Sequence, residues 1–519
     1  MDINEIYPEL GSAGKDFKKH NNEILMKILS DNKDTEWGRR YGFGEIRSPE
    51  EYRNRMPVFG YEAYRSYVER LVNGEKNLLS NYERYCFLQT SGSTDRGKII
   101  PITLEALSRY GNVIDRYMEL QAEQGGGKRL MVSFIQADGK KPVNTDDTML
   151  LSSCYYSYLL EQEILDPDTL AGGGELSFYP GACDYLYAKL WLAFATTDII
   201  SMESIFLYDF LIFFHYMEEN YDRVLSDMEK GKIPDEVDLP QEVKDRLTSL
   251  RFHRDRIARV REECGSGFAG IVKRLWKDMK LISGIGSKVF QTEEISIRKY
   301  IGDLDVWHYS YASSECMIAV PAGMNTYDYI LYPKTAYYEF RPVDKEEVLS
   351  DPSALKVGEC YELILTTFSG LYRYAMGDIL KVTGFFEGLP IILFQYRKNL
   401  VLNIAGEKLD MKTLDQAMLV WSKISRLSIW QYYFYEEYDE VPACYRGIVA
   451  LEPDGENIRE EAADQMDKCL RGLSLDYDDL RKLGSISQVR LSFVNKDEFM
   501  ELKKKKSSNG QPKPLHIMN

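Results

Sequence analysis

Apolar positions three and four residues apart from Phe17 to Ser30 predict an amphipathic helix, and the first 60 residues read as helical up to Met56-Pro57-Val58. The period then changes. Tyr85 to Gln89 predicts a strand that runs straight into Thr90-Ser91-Gly92-Ser93-Thr94; a second strand is predicted at Lys98 to Ile102 and a helix-like stretch from Leu104 to Gln121. Met131 to Ile135 predicts a short strand, and Ala188 to Phe194 and Ser204 to Met228 predict helices with a strand at Asp198 to Met202 between them. This alternation favours an α/β architecture. Strands dominate from Leu281 to Phe385, where Tyr361 to Thr367 reads as one arm of a hairpin, Ser369-Gly370 as its turn and Leu371 onward as the return.

After Phe394 the character changes again. A strand at Leu400 to Asn403, a helix from Met411 to Ser425, strands at Leu427 to Phe434 and Gly447 to Leu451, a helix from Ile458 to Leu470 and a strand at Val489 to Phe493 form a compact α+β unit. The boundary falls at Tyr396-Arg397-Lys398, dividing the chain into residues 1–395 and 396–519. No internal repeat or long low-complexity segment interrupts either part.

A length of 519 residues with 44% hydrophobic and 28% charged positions agrees with a folded protein of two or more domains. The 37 tyrosines read mainly as aromatic packing. A formal charge of −16 gives no net attraction for phosphate backbones or anionic lipid, which argues against nucleic-acid and membrane partners. The run Lys503-Lys504-Lys505-Lys506, beside Ser507-Ser508-Asn509-Gly510, reads as a solvated loop rather than a binding patch. The eight cysteines form no C-x-x-C pair and the five histidines are equally scattered, so neither a disulfide framework nor a structural zinc site is expected. The start Met1-Asp2-Ile3-Asn4-Glu5 lacks the pattern of a signal peptide, and the apolar run Ile205 to Met217 is short and contains Asp209 and His215, so it reads as a buried helix. These features predict a cytoplasmic protein.

Four segments carry candidate chemistry. In Thr90-Ser91-Gly92-Ser93-Thr94-Asp95-Arg96-Gly97-Lys98, Gly92 and Gly97 permit close backbone approach to phosphate oxygens, the hydroxyls donate hydrogen bonds and Lys98 supplies charge. Taken alone the segment also reads as a polar hairpin turn, and it lacks the Walker spacing. In Tyr311-Ala312-Ser313-Ser314-Glu315, an aromatic ring able to stack on a purine precedes by four residues a carboxylate able to hold Mg²⁺ beside phosphates, although taken alone a Tyr at a strand end also reads as core. In Tyr372-Arg373-Tyr374-Ala375-Met376-Gly377-Asp378, Asp378 can accept hydrogen bonds from ribose hydroxyls, or simply sit in a β-turn. The fourth segment runs from Arg397 through Asn403 to Gly406 and Lys408 at the domain boundary, and Asn509-Gly510-Gln511-Pro512-Lys513 follows near the C-terminus.

In this order the four segments resemble the motifs of the acyl-adenylate-forming superfamily. Within it the chain is most similar to the auxin-responsive Gretchen Hagen family of acyl-acid amido synthetases. The features that carry the resemblance are Tyr311 to Glu315, Tyr361-Glu362-Leu363, Gly370 to Tyr374 before Gly377-Asp378, and Gly510-Gln511-x-Lys513; Pro57-Val58 and Asn73-Gly74-Glu75 fit it too. The chain departs from the family pattern at Ala375, at Lys513-Pro514-Leu515-His516 and at Asp95-Arg96.

The resemblance implies a large N-terminal adenylate-forming domain of β-sheets and helices and a small mobile α+β C-terminal domain turning about residues 396–398. It implies that Thr90, Ser91, Gly92, Ser93, Thr94 and Lys98 grip the triphosphate of ATP, with Ser313 and Ser314 also in the nucleotide site. Glu315 would bind Mg²⁺, Tyr311 would lie against adenine, Asp378 and Arg397 would hold the ribose, and Lys513 would reach the reacting carboxylate and α-phosphate. The expected reaction joins a small carboxylic acid to an amine such as an amino acid. An acyl-coenzyme A ligase shares the first half-reaction and stays open, as does a nucleotide-binding regulatory protein without turnover.

Overall fold

Aromatic side chains fasten the N-terminal helices to the sheet that follows them. Trp37, in the helix Glu36–Arg40, stacks on Tyr64 of the helix Glu62–Val72 with ring centroids 4.8 Å apart, and on Tyr372 at 6.1 Å. The phenols of this layer are tied by hydrogen bonds. Tyr64 Oη donates to the Tyr372 carbonyl (2.5 Å) and accepts from its N–H (3.0 Å), while Tyr372 Oη donates to the Leu79 carbonyl (2.6 Å). Burial pushes the Tyr52 and Tyr372 phenols far above the ordinary tyrosine range, so they remain neutral donors.

The computed structural model describes residues 3–89, 98–110, 126–133, 135, 148–149, 151–179, 184–286, 291–343, 345, 348–349, 352–398, 401–402, 404, 409–437, 442–451, 461–483 and 485–506. Two compact units emerge, one of Met1–Thr90, Ile99–Met376 and Lys381–Leu393, the other of Ser91–Lys98, Gly377–Leu380 and Phe394–Asn519.

Among the described residues, the strands between Arg84 and Arg397 form three sheets. In the first, Arg84–Gln89 lies between Ile99–Thr103 and Thr148–Met149. The second is wholly parallel, in the order Lys128–Met131, Ile199–Phe206, Leu281–Ile285, Asp305–His308. Its strands are almost entirely buried, as a parallel sheet covered on both faces requires. The third has seven strands, ordered Ala336–Pro342, Cys360–Thr367, Tyr374–Phe386, Leu389–Arg397, Tyr329–Leu331, Met317–Pro321 and Tyr311–Ala312. In the smaller unit, Cys444–Leu451 pairs antiparallel with Ile429–Glu437 and parallel with Arg490–Val494. The helices Met411–Ser425 and Ala462–Leu473 supply Leu414, Trp421, Met466 and Leu470 to its core.

Several expected elements shift, each for a local reason. The strand expected at Met131 to Ile135 is Lys128–Met131, because Arg129 is buried in a bidentate pair with Glu203 (2.5 and 2.9 Å) and a charged strand residue breaks the apolar pattern. The helix expected from Ser204 begins at Leu207. Its Asp209 carboxylate accepts the Phe206 N–H (3.2 Å) and the Ser133 hydroxyl (2.5 Å), capping the helix there, while Ile199–Phe206 stays in the parallel sheet. A helix, Gln291–Ile301, interrupts the stretch expected to be strands. The return arm of the hairpin starts at Tyr374 rather than Leu371. Between the arms the backbone turns through Gly370 at φ +94°, where a Cβ would come within 2.8–3.0 Å of Leu79. The Leu104 to Gln121 stretch is helical over Leu104–Tyr110, and its remainder lies outside the described residues. A helix that the pattern did not predict occupies Leu475–Lys482. Lys503 to Lys506 end the helix Lys496–Lys506 and are not a loop.

Lys189 yields a stability prediction. It is fully buried, its ammonium donating to the carbonyls of Ser177 (2.8 Å) and Leu176 (3.3 Å), the last residues of the helix Gly173–Ser177. Desolvation lowers its pKa from 10.5 to about 7. Between those values the unfolded chain binds the extra proton and the folded chain does not, so this residue makes stability rise with pH, by up to about 1.4 kcal/mol per pH unit. Below pH 7 both states carry the proton and the slope vanishes. Denaturant unfolding at pH 7.5 and 9 is expected to show this rise in the wild type relative to Lys189→Met. Equal slopes in the two proteins would show that Lys189 is charged or solvated in the fold.

Candidate functional site

In the larger unit, the strands Tyr311–Ala312 and Met317–Pro321 form a hairpin closed by residues 313–316. The Ser313 N–H donates to the Cys316 carbonyl (2.9 Å), and the Ser313 hydroxyl both donates to that carbonyl and accepts the Cys316 N–H, each at 3.3 Å. Ser313 therefore builds the turn that presents Glu315. Tyr311, half-buried, has its ring 6.0 Å from that of Tyr329. Ser314 lies in the turn, half-buried.

Glu315 is only 5% exposed. Its Oε1 accepts a hydrogen bond from the Tyr374 hydroxyl (3.1 Å), and among the described residues it has no ion-pair partner. A buried carboxylate without a cation is costly, and an incoming cation removes that cost. Among the described residues no cluster of three or more His, Cys, Asp or Glu has the geometry to hold a metal ion. The donor set thus fits a Mg²⁺ ion that takes one protein carboxylate and fills its shell with phosphate oxygens and water, and does not fit an all-protein metal cage.

In the smaller unit, Asp378 and Arg397 are partners. The strands Tyr374–Phe386 and Leu389–Arg397 are joined by Glu387 and Gly388 at φ +49° and +96°, a two-residue turn of the kind that suits strand twist. Counting back from that turn, Asp378 falls opposite Arg397. Arg397 Nε donates to Asp378 Oδ1 at 2.5 Å, and the neighbouring Lys398 N–H donates to the Gly377 carbonyl at 2.6 Å. Asp378 is 2% exposed and the Arg397 side chain 40%, so the pair has a buried acceptor and a solvent-facing donor. Gly377 has φ +83°, a backbone state that side chains disfavour.

Lys98 is half-buried, directly before the strand Ile99–Thr103. Thr90, Ser91, Gly92, Ser93 and Thr94 lie outside the described residues, as does Lys513. The structure also assigns a role that the sequence reading did not. Arg373, at φ +48°, is buried, donating to Glu339 Oε2 (3.0 Å) and to the carbonyls of Arg53 (3.0 Å) and Met56. It anchors the end of the helix Pro49–Arg55. Tyr374, which carried no assigned role in the motif, is the residue that meets Glu315. The two are 59 positions apart, so no spacing rule reveals the contact.

Sheets and helices in this arrangement are the fold of a solved acyl acid amido synthetase. A solved structure of an acyl acid amido synthetase, AtGH3.15 in complex with 2,4-DB, superposes with a TM-score of 0.83 at 23% identity, covering 99% of this chain and 94% of that one. Family models match nearly the whole length: the GH3 family N-terminal domain at residues 7–306, its central domain at 329–397 and its C-terminal domain at 412–519. The chain belongs to the GH3 family. Similar proteins include the indole-3-acetic acid-amido synthetases GH3.8 of Oryza sativa subsp. indica and GH3.5 of Arabidopsis thaliana. The first is 26% identical over 508 residues, covering 92% of this chain and 84% of the relative; the second is 27% identical over 460 residues, covering 82% and 75%. Among the described residues no helix is long and apolar enough to cross a membrane.

Proposed function

We infer that this protein is an ATP-dependent acyl-acid amido synthetase: it adenylates a small carboxylic acid and transfers the acyl group to an amine, in our reading that of an amino acid. The observation that carries the reading is Glu315, a buried carboxylate with no ion-pair partner among the described residues, set in a tight turn of a chain whose family relatives are named amido synthetases. A carboxylate is a poor electrophile because its leaving group would be oxide. Attack of the acid on the α-phosphate of ATP forms a mixed anhydride and releases pyrophosphate, after which the amine attacks the acyl carbon and AMP leaves. The acid is its own nucleophile, so the enzyme needs positioning and charge stabilisation rather than a catalytic triad.

The residue roles follow from that chemistry. Asp378 accepts from ribose hydroxyls, with Arg397 holding its carboxylate. Tyr311 offers a ring face to adenine, and Ser313 and Ser314 shape the turn beneath the nucleotide. Thr90 to Thr94 and Lys98 supply donors and charge to the phosphates. Lys513 stabilises the charge that develops at the α-phosphate. Glu315 holds Mg²⁺, which when bound neutralises charge on the phosphates and the departing pyrophosphate. The formal charge of −16 supports a reading without nucleic-acid or membrane partners, and cysteines without C-x-x-C spacing support a cytoplasmic one.

Exchange of labelled pyrophosphate into ATP tests the adenylation half-reaction. A panel of indolyl, aryl and fatty acids beginning with indole-3-acetic acid is expected to contain an acid that drives exchange without any amine. A catalytically silent nucleotide-binding protein gives no acid-dependent exchange with any member.

A further inference from the structure

We propose that Tyr374 is a positioning residue for adenylation, its hydroxyl holding the Glu315 carboxylate in the orientation that a phosphate-bound divalent cation requires. The inference rests on the reading of Glu315 as the metal carboxylate. Mg²⁺ accepts little deviation from octahedral geometry, so a site with a single protein carboxylate depends on that group being held in place beforehand. Turn residues are ordinarily free to choose among rotamers. Here Oε1 accepts the Tyr374 hydroxyl at 3.1 Å, while Oε2 has no hydrogen-bond partner among the described residues.

The phenol is itself fixed from behind. Tyr374 is fully buried and meets Tyr64 edge to face, with ring centroids 6.0 Å apart. Its backbone is clamped by Phe59, whose N–H donates to the Arg373 carbonyl and whose carbonyl accepts the Ala375 N–H, both at 2.9 Å. Tyr64 is in turn stacked on Trp37 and hydrogen-bonded at both backbone groups of Tyr372. A rigid aromatic assembly from the N-terminal helices thus ends in one hydroxyl on one carboxylate. A merely structural tyrosine would affect folding, whereas this placement makes metal affinity depend on a single oxygen atom.

The test is Mn²⁺ binding, followed by electron paramagnetic resonance, to the full chain with a non-hydrolysable ATP analogue. Tyr374→Phe keeps the ring and is expected to weaken Mn²⁺ binding about tenfold or more, with metal-free binding of the analogue and the melting temperature near wild type. Glu315→Gln is expected to weaken Mn²⁺ binding as well, and adding Tyr374→Phe to it should cost nothing further. If Glu315→Gln weakens Mn²⁺ and Tyr374→Phe does not, the positioning role is overturned and Glu315 stands as the metal carboxylate. Unchanged Mn²⁺ affinity in Glu315→Gln removes the metal reading itself, and the proposal with it. Should Tyr374→Phe fail to fold, 4-fluorophenylalanine at position 374 fills the space of the hydroxyl but cannot donate a hydrogen bond. Mn²⁺ affinity is then expected to fall about tenfold or more, and an unchanged affinity overturns the proposal.

Discussion

Lys513→Ala is expected to slow acyl-adenylate formation on the order of 10²–10³-fold while leaving ATP binding nearly intact. Lys513 closes Gly510-Gln511-Pro512-Lys513, one of the segments that carry the family resemblance. In the proposed mechanism its ammonium meets charge that exists only as the carboxylate attacks the α-phosphate. An interaction made in the transition state and not in the ground state appears in kcat and spares the nucleotide Kd. Single-turnover measurement of adenylate formation, beside equilibrium binding of ATP, separates the two. An unchanged single-turnover rate would return Lys513 to the role of a solvated lysine.

Asp378→Asn should show the opposite split, weakening ATP on the order of 10²-fold and leaving binding of the acid alone. Charge-assisted hydrogen bonds contribute roughly 1.5–3 kcal/mol each, and the neutral amide loses the charge while keeping one acceptor. The paired geometry adds a control. Asp378 holds the Arg397 guanidinium at 2.5 Å, so the substitution also releases Arg397, and Arg397→Ala reports how much of the loss passes through that pair. The pair itself contributes little to stability, because the Arg397 side chain is 40% exposed and solvent screens it. Calorimetric titration of ATP into each variant is the measurement. A nucleotide Kd unaltered in Asp378→Asn would make Asp378 a structural partner of the hairpin.

Local periodicity explains which elements were legible. The helix Met411–Ser425 has the bounds its apolar spacing predicts, and the strand Arg84–Gln89 starts one residue before its predicted Tyr85 and ends where predicted, because both have strong, uninterrupted patterns. The helix Gln291–Ile301 was hidden by a run of polar and charged residues with weak apolar contrast, and Lys128–Met131 by the buried charge of Arg129. Among site residues, Glu315 and Asp378 could be picked out because motif order along the chain is a sequence property. What holds them could not. The Tyr374 hydroxyl on Glu315, and the Arg373–Glu339 pair beneath it, are contacts between strands and turns that only the folded sheet brings together.

The central claim is that the acyl group ends on an amine, and product analysis tests it most directly. The enzyme would be supplied with ATP, Mg²⁺, an acid that drives pyrophosphate exchange, a pool of amino acids and coenzyme A, and the products identified by mass spectrometry. Coenzyme A recognition requires cations near its phosphates, for which the helix-ending run Lys503 to Lys506 is the evident source, whereas an amino acid requires a carboxylate clamp and an unprotonated amine. The account predicts an N-acyl amino acid with AMP and pyrophosphate released, formed equally well when coenzyme A is omitted. A thioester as the dominant product, lost when Lys503 to Lys506 are neutralised, would contradict it.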